Sequence, residues 1–256
     1  MKKLSIPVVP GRRIYFASDF HLGAPDRMQS LERERKIIRW LDQVKKDAAA
    51  IFLVGDIFDF WFEYPHVIPK GFIRFQGKLA EIRDMGIPLY FFHGNHDMWM
   101  FDYFQKELDI PIYRDSLILE TGSHRLFIAH GDGLGPGDHT YKLLKKIFRS
   151  PLAQWAFKWL HPSLGMALAN SWSAKSRIAN DIKGHDYDES SEWLLDFCRE
   201  MEIKDHHDYY IFGHRHLPLE IEVSPASQYI NLGEWVLACT YAAYDGKTVN
   251  LLKFEG

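Results

Sequence analysis

Cysteine is almost missing from this chain. Cys198 and Cys239 are the only two in 256 residues, which excludes a disulfide framework and a thiolate-rich zinc site. Long apolar runs are missing as well. The longest, Ala48–Gly55 and Ile57–Phe62, fall far short of the ~20 residues that a membrane-spanning helix needs. The opening Met-Lys-Lys is followed by Pro7, Pro10, Arg12 and Arg13, which leaves no apolar core of the kind a secretory signal carries. Together these absences predict a cytoplasmic protein. An excess of positive charge is also lacking: the formal net charge is −3, so a globally basic nucleic-acid binder is excluded and no nucleic acid is expected. With 46% apolar and 25% charged residues, the chain can bury a large core and is not disordered.

What is present has a rhythm. Short β-like runs at Ile14–Ala17, Ile51–Val54 and Ile87–Phe92 alternate with amphipathic stretches near Leu31–Lys46 and Phe72–Met85, which predicts an α/β domain. Hairpin strands are expected around Gly122-Ser123. Between about residues 138 and 202 the β signal vanishes and helical spacing takes over. Strands return from Tyr209 onward, including one at Val236–Ala243. One domain over 1–256 with a helical lid insertion at about 138–202 is the simplest organisation.

The insertion is unevenly charged. Between His139 and Lys183 eight basic residues face one acid, Asp181, giving +7 and leaving the rest of the chain at −10. Tyr141, Phe148, Trp155, Phe157, Trp159 and Trp172 lie in the same stretch. A basic, aromatic-rich segment suits a ligand with both phosphate and apolar parts, or peripheral association with an anionic membrane surface.

Five β-like runs each end in residues of metal-ligand type. They are Asp19-Phe20-His21, Gly55-Asp56-Ile57-Phe58-Asp59, Gly94-Asn95-His96-Asp97, His130-Gly131-Asp132 and Gly213-His214-Arg215-His216. In open α/β sheets, loops beyond the carboxyl ends of the strands converge on one rim. Carboxylate and imidazole without thiolate suit divalent manganese, iron, zinc or cobalt. Seven candidate ligands, Asp19, His21, Asp56, Asn95, His130, His214 and His216, are too many for one ion with an open position. They suit two ions sharing a carboxylate, the arrangement for in-line displacement at phosphorus. Asp59 and Asp132 read as supports for ligands, and His93 is left open. His66, His124, His161, His185, His206 and His207 have no partner pattern and read as surface or loop histidines.

The ordered set of motifs resembles the calcineurin-like metallophosphoesterase superfamily, from Asp19 to His216. The resemblance implies a two-sheet β-sandwich flanked by helices and a phosphohydrolase with two divalent ions, manganese first. Asp19, His21 and His216 would hold one ion, Asn95, His130 and His214 the other, with Asp56 bridging. His96 would lie at the phosphate as electrostatic clamp or general acid, oriented by Asp97. Ser18–Gly23, Leu53–Trp61 and His130 through Asp138 to Tyr141 are similar to the UDP-2,3-diacylglucosamine hydrolase family. That likeness implies a nucleotide-sugar lipid substrate, cleaved at its pyrophosphate to UMP and 2,3-diacylglucosamine 1-phosphate in lipid A synthesis. Asn95, Asp138, Ser173, Lys175, Arg177 and His214 would touch it. His96 stands where the best-known members of that family carry Arg. Another nucleotide-sugar pyrophosphate or phosphodiester is therefore the alternative substrate class. A non-catalytic scaffold of the same fold is the remaining reading, and the full ligand set argues against it. Nothing in the sequence sets the oligomeric state.

Overall fold

The computed structural model describes residues 2–136, 139–169, 171, 173 and 192–256. One six-stranded sheet is built from β2 (Arg13–Ala17), β3 (Ala48–Val54), β4 (Leu89–Phe92), β5 (Ile112–Tyr113), β11 (Thr240–Tyr244) and β12 (Val249–Lys253), in the order β12-β11-β2-β3-β4-β5. Its β2-β3-β4-β5 half is parallel. The other sheet holds β1 (Lys2–Ser5), β6 (Leu117–Thr121), β7 (His124–Ile128), β8 (Tyr209–Phe212), β9 (Pro218–Ser224) and β10 (Ser227–Leu232), in the order β1-β6-β7-β8-β10-β9. The two sheets face each other, as the sandwich expectation required.

Period-two alternation assigns each strand its faces. On β2 and β3, Ile14, Phe16, Ala50, Phe52 and Val54 enter the core between the sheets, against Leu119, Ile128 and Ile211. Their neighbours Tyr15, Ala17, Ile51 and Leu53 enter a second core, shared with α1 (Arg27–Val44) and α2 (Ile73–Asp84). These strands are therefore apolar on both faces, as strands between two layers must be. On the far side, α7 (Trp193–Lys204) closes a third core with Leu194, Leu195 and Cys198 against Phe127, Tyr210 and Tyr229. A fourth cluster, Phe62, Met98 and Trp99, packs with Phe148 and Phe157 of the basic segment. There α4 (His139–Arg149), α5 (Pro151–Lys158) and α6 (162–169) are helical, and α3 (Tyr103–Leu108) lies nearby in sequence.

The structure departs from the sequence expectations locally. Helix α1 starts at Arg27 because the Asp26 carboxylate accepts the N–H groups of Met28 and Gln29 at 2.8 and 2.9 Å, the usual N-cap bond. The strand expected at Val236–Ala243 begins only at Thr240, since the Glu234 carboxylate takes the N–H groups of Leu237 and Ala238 and coils that stretch. Strand β1, where no strand was expected, pairs in parallel with β6. It is an edge strand with little to bury.

Candidate metal centre

The ligand loops meet at one rim because glycine lets them approach. A Cβ on Gly55, whose φ is +84°, would stand 2.5 Å from His130 Nδ1 and 2.9 Å from Gly94 Cα. A Cβ on Gly94 would stand 2.7 Å from Asp56 Cγ. Only residues without a side chain fit at such positions. Five of the candidate ligands themselves, Asp19, His21, Asp56, His214 and His216, have left-handed backbone, with φ between 43° and 66°. For a non-glycine residue this costs of order 1–3 kcal/mol and concentrates at working sites.

The side chains form two groups with one carboxylate between them. Asp19, His21 and His216 present ligand atoms within 4.8 Å of one another, and so do Asp56, His130 and His214. His216 Nε2 lies 3.2 Å from Asp19 Oδ1, and His21 Nε2 lies 3.1 Å from His216 Nε2. Asp56 Oδ2 is 3.3 Å from His130 Nε2 and 3.9 Å from His21 Nε2, so it reaches toward both groups. Asn95 Oδ1 is 3.3 Å from His130 Nε2. Backbone groups fix the rest: Val54 O binds His130 Nδ1 at 2.9 Å, and the His96 N–H donates to Asp56 Oδ1 at 2.8 Å. The His214 N–H donates to Asp19 Oδ2 at 3.0 Å.

Electrostatics fit a cation. Burial alone would push His21 and His130 down, but Asp19, Asp59 and Asp56 outweigh it and hold both at about 10. Burial alone would push Asp19 and Asp56 up, and the surrounding imidazoles outweigh it and hold both well below the usual carboxylate range. Burial, aided by the charge on His130, lowers His214 to about 4, leaving a neutral imidazole suited to metal ligation. Asp19 Oδ1 and His21 Nδ1 are buried with no hydrogen-bond partner among the described residues. An oxygen and nitrogen donor set with carboxylates to spare suits hard or borderline divalent ions, so the residues present fit a two-ion centre.

The residues around the ligands sort themselves by contact. His96 Nδ1 lies 3.0 Å from the Asp59 carbonyl and 2.9 Å from Ser173 Oγ. Asp97, expected to orient His96, has its carboxylate elsewhere. Its oxygens accept the N–H groups of Gly94 and Ile57, both at 2.8 Å, and lock the second and third loops together. Burial and the neighbouring Asp56 push its pKa up to about 7. His93 serves the core through Met100 O at 2.7 Å. His207, expected at the surface, is fully buried between the Phe127 and Tyr210 rings. Ser173 is buried at the site, whereas Asp138, Lys175 and Arg177 lie outside the described residues.

Sequence reasoning passed over one support, Arg215, and did not give the partners of another, Asp132. Arg215, between the paired histidines, donates to the buried Glu192 at 3.0 Å and stacks on Trp193 at 4.3 Å. Asp132 accepts from Tyr141 Oη at 2.5 Å and pairs with Lys145 at 2.6 Å, tying α4 to the His130 loop. The first was visible in the Gly-His-Arg-His motif itself. The second required knowing that α4 folds back on that loop.

A cavity of about 430 Å³ opens from Asn95 and His96 and runs between Trp99, Phe148, Phe157 and Leu168. Among the described residues no helix is long and apolar enough to cross a membrane.

The chain resembles known proteins along most of its length. The chain is 36% identical to a UDP-2,3-diacylglucosamine hydrolase of Porphyromonas gingivalis, over 95% of this chain and 98% of the relative. It is 26% identical to one from Shewanella baltica, with the same coverage of each. A solved structure, vacuolar protein sorting 29 of Cryptosporidium parvum, aligns over 97% of this chain and all of its own, with TM-score 0.45 and 10% identity. The profile of the calcineurin-like phosphoesterases matches residues 12–218. The chain, with its two facing sheets and its rim of aspartates and histidines, belongs to the calcineurin-like phosphoesterase family, the metal-dependent phosphohydrolases.

Proposed function

We propose that the chain hydrolyses the pyrophosphate of UDP-2,3-diacylglucosamine, giving UMP and 2,3-diacylglucosamine 1-phosphate. The observation that carries the reading is the apolar cavity opening directly at Asn95 and His96. A ligand filling both places must be a phosphate ester and a lipid at once. The names of the relatives from Porphyromonas and Shewanella support the same substrate.

Asp19, His21 and His216 would hold one divalent ion, Asn95, His130 and His214 the other, with Asp56 between them. Bound there, the ions supply charge neutralisation at phosphorus and activation of water. Manganese is the first choice for this donor set. His96 faces the phosphate, its backbone pinned to Asp56 and its ring to Asp59 and Ser173. Leu144, Phe148, Phe157 and Leu168 keep water from the apolar part of the substrate, and each buried CH₂ is worth up to ~0.8 kcal/mol. Asp138, Lys175 and Arg177 remain proposed contacts for the polar part.

Leu152 and Trp155 of α5 and Trp159 at its C-terminal cap are 72%, 58% and 75% exposed. With Lys146 and Lys158 close by in sequence, they support peripheral association with the cytoplasmic face of an anionic membrane. Such a position would bring the lid to a lipid substrate.

The test is hydrolysis of UDP-2,3-diacylglucosamine beside UDP-glucose and simple nucleotides, with Mn²⁺ supplied and products followed by phosphorus NMR. A kcat/KM at least ~100-fold higher for the diacylated substrate is expected. Equal rates on UDP-glucose would leave a soluble nucleotide-sugar pyrophosphatase and overturn the lipid assignment.

A further inference from the structure

His96 is attached to the centre by its backbone, and its ring is aimed by groups from two distant segments. Its N–H donates to Asp56 Oδ1, which fixes the residue but not the side chain. The ring is gripped at one nitrogen. Nδ1 meets the Asp59 carbonyl at 3.0 Å and Ser173 Oγ at 2.9 Å. Ser173 in turn donates to that same carbonyl at 3.2 Å, closing a three-membered ring of bonds. The Asp59 carboxylate adds negative charge 3.8 Å from Nδ1.

The chemistry of this ring settles a tautomer. A carbonyl oxygen can only accept, so Nδ1 must carry the hydrogen that bonds to it. The serine hydroxyl spends its own hydrogen on the Asp59 carbonyl and offers a lone pair to the same Nδ1–H. The hydrogen on Nδ1 makes Nε2 the nitrogen available to a phosphate oxygen. The packing is close: Ser173 is 6% exposed, and the His96 ring stands edge-on to His21 at 4.9 Å. A contact from 77 residues away is an unusual way to hold a histidine if its orientation does not matter.

We infer that Ser173 is a positioning residue for His96, holding the ring in its Nδ1–H form with Nε2 toward the phosphate, and not a group that binds substrate. The inference rests on the reading of His96 as the residue facing phosphate. It goes beyond that reading by giving Ser173 a role that the sequence assigned to substrate contact.

The two roles separate in kinetics and in spectroscopy. Ser173→Ala should lower kcat by roughly 10–100-fold, the usual cost of losing an orienting partner. KM should stay within about twofold, and the loss should be equal on the diacylated substrate and on a small chromogenic phosphodiester. Ser173→Thr, which restores a hydroxyl, should recover most of kcat. In a His96→Ala background, Ser173→Ala should cost nothing further, because the ring it positions is gone. Nitrogen-15 NMR of imidazole-labelled protein should show His96 as the Nδ1–H tautomer in the wild type and a mixture of tautomers in Ser173→Ala.

A raised KM confined to the diacylated substrate, an additive loss on His96→Ala, or an unchanged tautomer would each overturn the inference. Failure of the phosphate reading would show separately, as a His96→Ala enzyme with near-wild-type kcat. The NMR result would still decide what Ser173 does to the ring.

Discussion

Adding one methyl group at Gly94 should disable the centre without touching a ligand. The Cβ of Gly94→Ala would fall 2.7 Å from Asp56 Cγ, where ordinary contact begins near 3.4 Å. The nearest atoms include the Asp56 backbone nitrogen, so a rotamer change alone cannot clear the overlap. Asp56 is also held by the His96 N–H at 2.8 Å on one oxygen and faces His130 at 3.3 Å with the other. The Asp56 backbone and carboxylate must therefore move together, or the third loop must lift, by more than the roughly 0.7 Å that Cγ alone requires. Misplacing a catalytic group by ~1 Å costs of order 10²-fold in rate, and overpacking costs about 1–3 kcal/mol of stability. For a chain of 256 residues that stability loss lowers Tm by roughly 2–12 °C.

Gly77 supplies the control. It sits inside helix α2 with nothing within 4 Å of its Cβ position. Gly77→Ala should stabilise by about 0.5–1 kcal/mol through helix propensity and leave turnover unchanged. The assays are turnover of a chromogenic phosphodiester with Mn²⁺, metal content by elemental analysis, and thermal unfolding. A Gly94→Ala enzyme with activity within threefold of wild type and two equivalents of metal would refute the close approach of the two loops.

Asp56→Ala should lose at least one equivalent of metal and nearly all turnover, because its Oδ2 approaches both His130 and His21; retention of both ions would remove its bridging role. Re-adding Mn²⁺ to chelated protein in weak buffer at pH 8 should release protons, since His21 and His130, held at about 10 by their carboxylates, must give theirs up; an unchanged pH would contradict that. Lys145→Met should leave the buried Asp132 charge with Tyr141 and the more distant imidazoles and cost about 1–3 kcal/mol, read as a lower Tm and faster amide exchange along α4. Burial pushes the Glu202 carboxyl up, but bonds from Ser227, His206, Tyr210 and the His207 N–H outweigh it and bring it to about 2. A depressed carboxyl stabilises the fold above its unfolded pKa and loses that contribution as pH falls from about 4.5 to 2. Glu202→Gln should therefore be less stable than wild type at pH 6 in urea unfolding, with the gap narrowing below about pH 4.5 and closing only near pH 2; a gap constant with pH would point to packing alone.

The sequence carried the fold wherever burial is periodic. Residues on β2 and β3 alternate between two cores and are apolar throughout, which reads as a strand between layers. It failed where a single polar group decides the backbone. Asp26 moves the start of α1 upstream of the apolar pattern, and Glu234 unmakes the first half of a strand that is apolar in composition. Strand β1 pairs along an edge, where little is buried and no periodicity can develop. The charge of the basic segment was legible, but its direction was not. Lys142 and Lys145 turn inward to the Gly135 and Asp132 carbonyls. The outward apolar surface includes Leu143, Leu152, Trp155 and Trp159.

The site was legible for a different reason. Metal ligands are restricted to a few residue types, so five short clusters could be found in a linear string. What the string could not show is the cost of bringing them together. Eight non-glycine positions among the described residues have left-handed backbone, and five of them are candidate ligands. At 1–3 kcal/mol each, this strain is comparable to the whole stability of an ordinary domain. It persists because the loops are locked from behind: Asp97 bonds the second and third to each other, Glu192 holds the fifth through Arg215, and Asp132 holds the fourth against α4. Two of these locks, Asp97 and Asp132, are of the same residue type as the ligands Asp19 and Asp56, so residue type alone does not separate a lock from a ligand. Asp97 gives both its oxygens to backbone N–H groups, whereas Asp56 gives one to the His96 N–H and turns the other toward two imidazoles.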